Sequence, residues 1–422
     1  MFLEVFLLMI SLLSKDLFIC FTTSLGGALL LWGLPDWGFL FFLDEISLSV
    51  MVLTSFVVSI SLFISSSTRR SWCLVAAFFI CSFFFLTKEP VTFFVSFELS
   101  VLPLFIIILS GGSNPERVSA ALYMMLFTLL FSVPLFVFSI FLSKSGIFVN
   151  GVGEFAGVFL ASLAFLVKLP VFFLHSWLPR AHVEAPVEGS VILAGVMLKM
   201  GFYGIVRFFR SSAFVPWVKL FSFFQSVSLF GAVFGFLIAL SSDDMKKSVA
   251  YSSIAHMNFS LGTFCFPTEK VLESSWMMMM AHGLSASLLF WMVTVVYQAT
   301  SSRSLMVSKG SMSKFSEVQL VFFSIWVLNI SVPPLFPFLG EVGSVASLFL
   351  GLPVLGGVMS FSFIVLGSLF SVVNYFMICH SSSKLLLKMC PRSILLLGGG
   401  GASVMISFFL FFFPQVLLPW SG

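Results

Sequence analysis

Long apolar runs separated by short polar segments dominate this chain of 422 residues. Many runs reach about 20 residues, the length that an α-helix needs to cross the hydrocarbon core of a bilayer. The pattern predicts fourteen spans, at 2–13, 17–34, 46–66, 71–87, 91–110, 118–142, 155–178, 187–209, 214–240, 248–266, 271–298, 318–352, 353–379 and 393–419. These runs are too long for barrel strands, so we expect an all-α polytopic membrane protein.

Basic residues are divided unevenly between the two sets of loops that fourteen spans create. Of the 21 Lys and Arg residues, thirteen lie in odd-numbered loops, six lie on the even-numbered side, and Lys168 and Lys199 lie inside spans. Basic loops stay on the cytoplasmic or matrix side of a membrane. We therefore expect both termini on the outer face and a single transmembrane domain.

Composition excludes several classes of protein. The chain is 59% hydrophobic and 9% charged, whereas soluble domains carry roughly 25% charged residues. Its six cysteines show no C-x-x-C spacing, so neither an iron–sulfur ligand set nor a disulfide framework is indicated. The net charge of +4 is scattered over single positions, which disfavours nucleic-acid binding. The 58 phenylalanines are typical of a T-rich organelle genome.

Six ionisable residues inside or beside the apolar runs are the candidate functional groups. They are Glu98, Lys168, Lys199, His256, His282 and Glu341. A charge at mid-membrane costs at least ~2.5–3.5 kcal/mol, so such groups face a protein interior or a water path. Carboxylates, lysines and histidines at similar depth supply the groups of a proton relay. The alternative reading is a helix–helix ion pair with packing histidines, and the six together favour the relay.

Proline places a helix break beside a charge in two of the spans. Pro170 follows Lys168 closely, and Glu341 follows a second cluster of prolines. That cluster is Pro333, Pro334 and Pro337. Breaks are tolerated in membranes only where protein or water re-satisfies the freed carbonyl groups.

The two breaks lie five spans apart, which is the signature of an inverted repeat. We therefore predict two inverted five-helix repeats, approximately 71–209 for spans 4–8 and 214–379 for spans 9–13.

Several motifs between residues 97 and 341 resemble one family. They are Phe97–Pro103, Asn114–Arg117, Val167–Pro186, Lys199–Arg207, Asp244–Met257, Ala281–Gly283 and Gly340–Glu341. Together they are similar to subunit 4 of respiratory complex I, an antiporter-like subunit. The stretch W-L-P-R-A-H-V-E-A-P is specific, because sibling subunits 2 and 5 differ there. Ser176 and Glu188 depart from the family's pattern.

The resemblance implies a role for each candidate residue. Glu98 would pair with Lys168, the lysine of the first broken helix, and Lys199 would be the central lysine. His256 and His282 would be connecting histidines, and Glu341 would be the terminal acid on the second broken helix. The motif positions His175, His182 and Glu184 would be structural or lining.

The resemblance also implies an activity and a setting. The chain would translocate protons as a membrane-arm subunit of NADH:ubiquinone reductase, with no redox catalysis, metal or cofactor of its own. FMN, iron–sulfur clusters and ubiquinone would belong to partner subunits. Its partners would be other complex I subunits, especially siblings 2 and 5, and membrane lipid. It would lie in the mitochondrial inner membrane with both termini on the intermembrane-space side.

Two other functions stay open at this point. A multi-subunit cation/proton antiporter shares this ancestry and most of the relay residues, but it has no link to a dehydrogenase. A purely structural membrane scaffold would leave ion movement intact when Lys168 or Glu98 is neutralised.

Overall fold

A computed structural model describes residues 44–65, 67–111, 115–145, 152–211, 218–265, 269–381, 407–408 and 411. Within these ranges the regular elements are helical, and one isolated bridge joins Asp244 and Ser304. The expected all-α class is therefore confirmed. The predicted spans 2–13 and 17–34, and nearly all of 393–419, lie outside the described residues.

The chain divides into two compact units, Met1–Leu220 and Phe221–Gly422. The first contains α1 (Glu45–Ile64), α2 (Thr68–Leu86), α3 (Pro90–Leu99), α4 (Val101–Ser110), α5 (Glu116–Ser145), α6 (Val152–Lys168), α7 (Trp177–Glu184), α8 (Val187–Ile192), a π-helical turn (Leu193–Met197) and α9 (Leu198–Ser211). The second contains α10 (Val218–Ser241), α11 (Met245–Phe264), α12 (Glu269–Thr300), α13 (Ser316–Ile330), α14 (Phe336–Gly351) and α15 (Pro353–Cys379). Each unit holds one of the two breaks that the sequence predicts beside a charge.

The membrane prediction agrees with helix length and composition. In the described part of the chain, eight helical segments are long and apolar enough to cross a membrane, and two of them consist of consecutive elements: α3 with α4, and α8 with the π-helical turn and α9. The predicted spans 155–178 and 318–352 are not continuous helices: the first stops at Lys168, and the second is divided between Ile330 and Phe336. Both interruptions lie at the predicted prolines, so the two broken helices are confirmed.

Helix α11 is a buried helix that is rich in polar residues. Its hydroxyl groups bond back to their own helix: Ser252 donates to the Val249 carbonyl at 2.8 Å, and Ser253 donates to the Ala250 carbonyl at 2.7 Å. Local bonds of this kind satisfy the hydroxyls without partners on other helices. Lys246 in the first turn of α11 is 5% exposed, whereas the neighbouring Lys247 is exposed.

Candidate functional site

Lys168 ends α6 and is almost fully buried. Its Nζ donates to the carbonyl oxygen of Phe97 at 2.6 Å and to Ser100 Oγ at 3.3 Å. The same nitrogen lies 3.3 Å from the centre of the Phe97 ring. A peptide oxygen, a hydroxyl and an aromatic face therefore surround this cation.

The predicted span 91–110 is interrupted as well. Helix α3 ends at Leu99 and α4 begins at Val101, two residues before Pro103. Proline offers no N–H, and its ring clashes with the carbonyl four residues earlier, which here belongs to Leu99. The interruption lies beside Phe97, whose carbonyl also accepts the hydroxyl of Ser100 at 2.6 Å.

The break after Lys168 has its own hydrogen-bond partners. The amide N–H of Leu169 donates to the Phe165 carbonyl at 2.9 Å, and the indole Nε1 of Trp177 donates to the Val167 carbonyl at 3.0 Å. Pro170 has no N–H to continue the helix. An indole from α7 therefore replaces part of the missing backbone hydrogen bonding.

Glu98 does not form the expected direct ion pair. Among the described residues no N–O distance of 4.0 Å or less joins Glu98 to Lys168, although the two interact electrostatically. The Glu98 carboxyl group lies beside the Ser132 hydroxyl of α5, and its buried Oε1 has no hydrogen-bond partner in the described part of the chain. In this structure Lys168 Nζ bonds to the Phe97 carbonyl rather than to Glu98, and the pairing of Glu98 with Lys168 stays a prediction.

Lys199 lies at the start of α9, directly after the π-helical turn. Its Nζ donates to the Ala194 carbonyl of that turn at 2.7 Å, and the side chain is 2% exposed. A Cβ on Gly201 would lie 3.0 Å from the Phe165 carbonyl and 3.1 Å from the Leu169 amide. Glycine thus lets α9 approach the break of α6 closely.

A small cavity lies between these two lysine environments. Its volume is about 10 Å³, which is the room that one water molecule needs. Lys168, Trp177, Leu193 and Met197 line it, so the end of α6 and the π-helical turn share one wall. The wall that carries Lys168 therefore also includes the π-helical turn, whose Ala194 carbonyl accepts the hydrogen bond from Lys199.

The second unit brings the other three candidates together. The rings of His256 on α11 and His282 on α12 are 5.5 Å apart at their centres and are inclined by 37°. Both line a cavity of about 10 Å³ with Asn329, Ser331 and Glu341. Donors and acceptors from four helices thus face a space for one water molecule.

Close helix packing positions Glu341. A Cβ on the preceding Gly340 would lie 2.7 Å from the Met278 amide nitrogen of α12, so only glycine fits. His282 follows Met278 by one helical turn. Glu341 is consequently held against the same stretch of α12 that carries the histidine.

Sequence reasoning missed several residues of this region. The apolar sequence of the π-helical turn does not indicate π-helical geometry. Trp177, Asn329 and Ser331 are not ionisable, and their roles follow only from the residues that they contact in the structure. His175 stacks on Phe172 with ring centres 5.0 Å apart.

The other supporting candidates lie on α7. His182 is buried and Glu184 is half-buried on this helix. Among the described residues no cluster of three or more metal-ligating side chains is present.

The two departures from the family pattern each have a partner. Glu188 on α8 is paired with Arg70 on α2, with Nη1 at 2.9 Å from Oε1 and 3.1 Å from Oε2. Ser176 shares a hydrogen bond of 2.7 Å with the hydroxyl of Tyr123. The guanidinium of Arg180 lies 4.9 Å from the centre of the same tyrosine ring.

Comparison with known proteins gives consistent likenesses. The family described as NADH:quinone oxidoreductase/Mrp antiporter, TM, matches residues 88–371. NADH-ubiquinone oxidoreductase chain 4 of Rhipicephalus sanguineus is 34% identical over 369 residues, which are 81% of each chain. The same chain of Ceratitis capitata is 35% identical over 320 residues, or 72% of each.

Two solved structures share the fold. A chain of respiratory complex I from Thermus thermophilus aligns with a TM-score of 0.84 at 18% identity, covering 98% of this chain and 96% of that one. A chain of the Mrp complex from a Dietzia species aligns with a TM-score of 0.80 at 15% identity, covering 99% and 95%.

Proposed function

The chain belongs to the NADH-ubiquinone oxidoreductase chain 4 family, and from this premise we propose that it translocates protons in the membrane arm of respiratory complex I. It is one subunit of an NADH:ubiquinone reductase, and electron transfer takes place in other subunits. The single observation that carries the proposal is the buried Lys168 at a helix break. An ionisable group in that setting marks an ion path.

Each unit supplies one part of the relay. In the first unit, Lys168 exchanges a proton with Lys199 by way of the small cavity lined by Lys168 and the π-helical turn. Glu98 interacts electrostatically with the charge of Lys168. In the second, His256 and His282 pass a proton to Glu341, since each imidazole accepts on one nitrogen and donates from the other. Quinone reduction elsewhere in the complex drives the cycle by changing the charge or geometry at Glu98 and Lys168.

The setting follows from the family. The chain is a multi-pass membrane protein with other complex I subunits as partners. We place it in the mitochondrial inner membrane, beside sibling subunits 2 and 5, with both termini on the intermembrane-space side. FMN, iron–sulfur clusters and ubiquinone belong to other partner subunits of the complex. The inverted repeats at 71–209 and 214–379 belong to the same proposal and are supported by one broken helix in each unit.

The fold shared with an Mrp complex favours a second candidate function, a subunit of a multi-subunit cation/proton antiporter. A native gel of membranes in mild detergent separates the two functions. Migration of this chain with NADH dehydrogenase activity supports complex I. Migration in a smaller assembly without that activity would favour the antiporter.

The relay is tested by Lys168→Met in the intact complex. We expect the rate of NADH-driven proton translocation into membrane vesicles to fall at least tenfold, because the methionine holds no proton. Lys247→Met is the matched control, since Lys247 is exposed at the start of α11 and lies outside both cavities. Normal translocation by an assembled Lys168→Met complex would refute the relay and support the scaffold interpretation.

A further inference from the structure

Ser331 ends α13 in a backbone conformation that serine rarely adopts. Its φ is 63° and its ψ is 45°, in the left-handed region. The amide of Ser331 donates to the Leu328 carbonyl, and that of Val332 donates to the Val327 carbonyl, each at 3.4 Å. These two bonds form a Schellman motif, in which the left-handed position is usually glycine. Serine is therefore the more strained choice at this helix end.

Serine at this position provides a hydroxyl group, which the usual glycine would lack. Ser331 and Glu341 both line the cavity of about 10 Å³. Ser331 is 5% exposed, so its hydroxyl has little access to bulk solvent. A glycine would close the helix with less strain, but it would remove this hydroxyl from the cavity wall that Glu341 shares.

The remaining ionisable groups of the cavity wall are the two histidines. His256 faces it from α11 and His282 faces it from α12, while α13 contributes Asn329 beside Ser331. The amide of Asn329 is held by the hydroxyl of Ser371 at 3.0 Å. The hydroxyl of Ser331 is thus placed to orient the carboxylate relative to the imidazoles.

We propose that Ser331 is a positioning residue for Glu341, and that its hydroxyl donates to the carboxylate and directs it towards the histidine side of the cavity. The left-handed backbone at the end of α13 brings the hydroxyl to this place. The proposal rests on the role given above to Glu341 in proton transfer. It adds to that role a neutral side chain that neither the charge pattern nor the family resemblance assigns.

The test is Ser331→Gly in the assembled complex, because glycine keeps the left-handed backbone and removes only the hydroxymethyl group. We expect the rate of NADH-driven proton translocation to fall about tenfold near neutral pH, the effect of one lost hydrogen bond to a charged group. Since the hydroxyl stabilises the ionised carboxylate, the rate profile moves by about one pH unit towards higher pH. A rate and profile like those of the wild type would overturn the proposal.

Ser301→Gly is the matched control. Ser301 also has a positive φ, of 51°, but it is exposed at the end of α12. We expect this variant to behave as the wild type. Failure of Ser331→Gly to assemble on a native gel would also overturn the proposal, because a left-handed position accepts glycine without strain.

Two further variants separate this inference from the proposed relay. Ser331→Ala removes the hydroxyl and keeps the strained backbone that the wild-type serine also has, so it should match Ser331→Gly; a normal translocation rate in the alanine variant would overturn the proposal. Glu341→Gln tests the relay itself. If Glu341→Gln pumps normally, the role of Glu341 fails, whereas a loss there with a normal Ser331→Gly rejects only the positioning role.

Discussion

Gly340 controls the distance between α14 and α12, and Gly340→Ala perturbs that distance in a calculable way. The added Cβ would lie 2.7 Å from the Met278 amide nitrogen and 3.0 Å from its Cα. Ordinary van der Waals contact begins at 3.4 Å, so the helices must separate by about 0.7 Å. Because the obstacle is backbone, no side-chain rotation relieves it.

The displacement carries Glu341 with it, since the two residues are adjacent. Errors of about 1 Å in a reacting group reduce rates by about a hundredfold, so we expect NADH-driven proton translocation by Gly340→Ala to fall by about ten- to a hundredfold. The assay uses membrane vesicles with a pH-sensitive dye, after a native gel has shown that the complex is assembled.

Gly357→Ala on α15 is the control for the Gly340 variant. The atoms nearest to its added Cβ would be those of the Phe349 ring, at 2.8 Å, and that half-exposed side chain is able to turn away. We expect this variant to pump at nearly the wild-type rate. An assembled Gly340→Ala complex with an unchanged rate would contradict the argument that close packing positions Glu341.

Two smaller changes test the supports of the first unit. Removing one partner of the pair between Glu188 and Arg70, whose side chains are 5% and 20% exposed, should destabilise the unit by about 2 kcal/mol, between the values for buried and surface pairs. The measurement is the temperature at which the solubilised complex loses this chain. The fall in this temperature for the double alanine variant should be smaller than the sum of the falls for the two single variants. A fall equal to that sum would argue against an interaction between Glu188 and Arg70. Trp177→Phe removes the indole N–H from the Val167 carbonyl at a cost of about 1–3 kcal/mol, so backbone amides near the break should exchange with deuterium faster, and unchanged exchange would show that the indole is dispensable.

The breaks were predictable from sequence because proline acts through its own covalent structure. Pro170 and the pair Pro333 and Pro334 lack the N–H that would continue a helix, which favours a break at each place, although Pro134 is accommodated inside α5. The burial of Lys168 was predictable for a similar reason, since lipid penalises a charge at every position along a span. These features depend on the local residue and the solvent alone.

The partners of the charges were not predictable in the same way. Nothing in the sequence of Leu193–Met197 distinguishes a π-helical turn from an α-helix, because the turn depends on the packing of its neighbours. The Phe97 carbonyl is the partner of Lys168 because the ends of α3 and α6, which are far apart in the sequence, lie together in the tertiary structure. The sequence also did not indicate that Ser331 ends a helix in the left-handed region, because serine rarely takes that position.

The hydrogen-bond partner of Lys168 is the uncharged carbonyl oxygen of Phe97, and this matters when the lysine loses its proton. An ammonium and a neutral amine both carry N–H groups, so either form is able to hold the Phe97 carbonyl at the observed place. A carboxylate in that position would be left as an uncompensated buried anion once the lysine became neutral. The peptide oxygen therefore accepts a hydrogen bond from either form of Lys168, more strongly from the ammonium, while Glu98 interacts with the lysine charge without a direct ion pair.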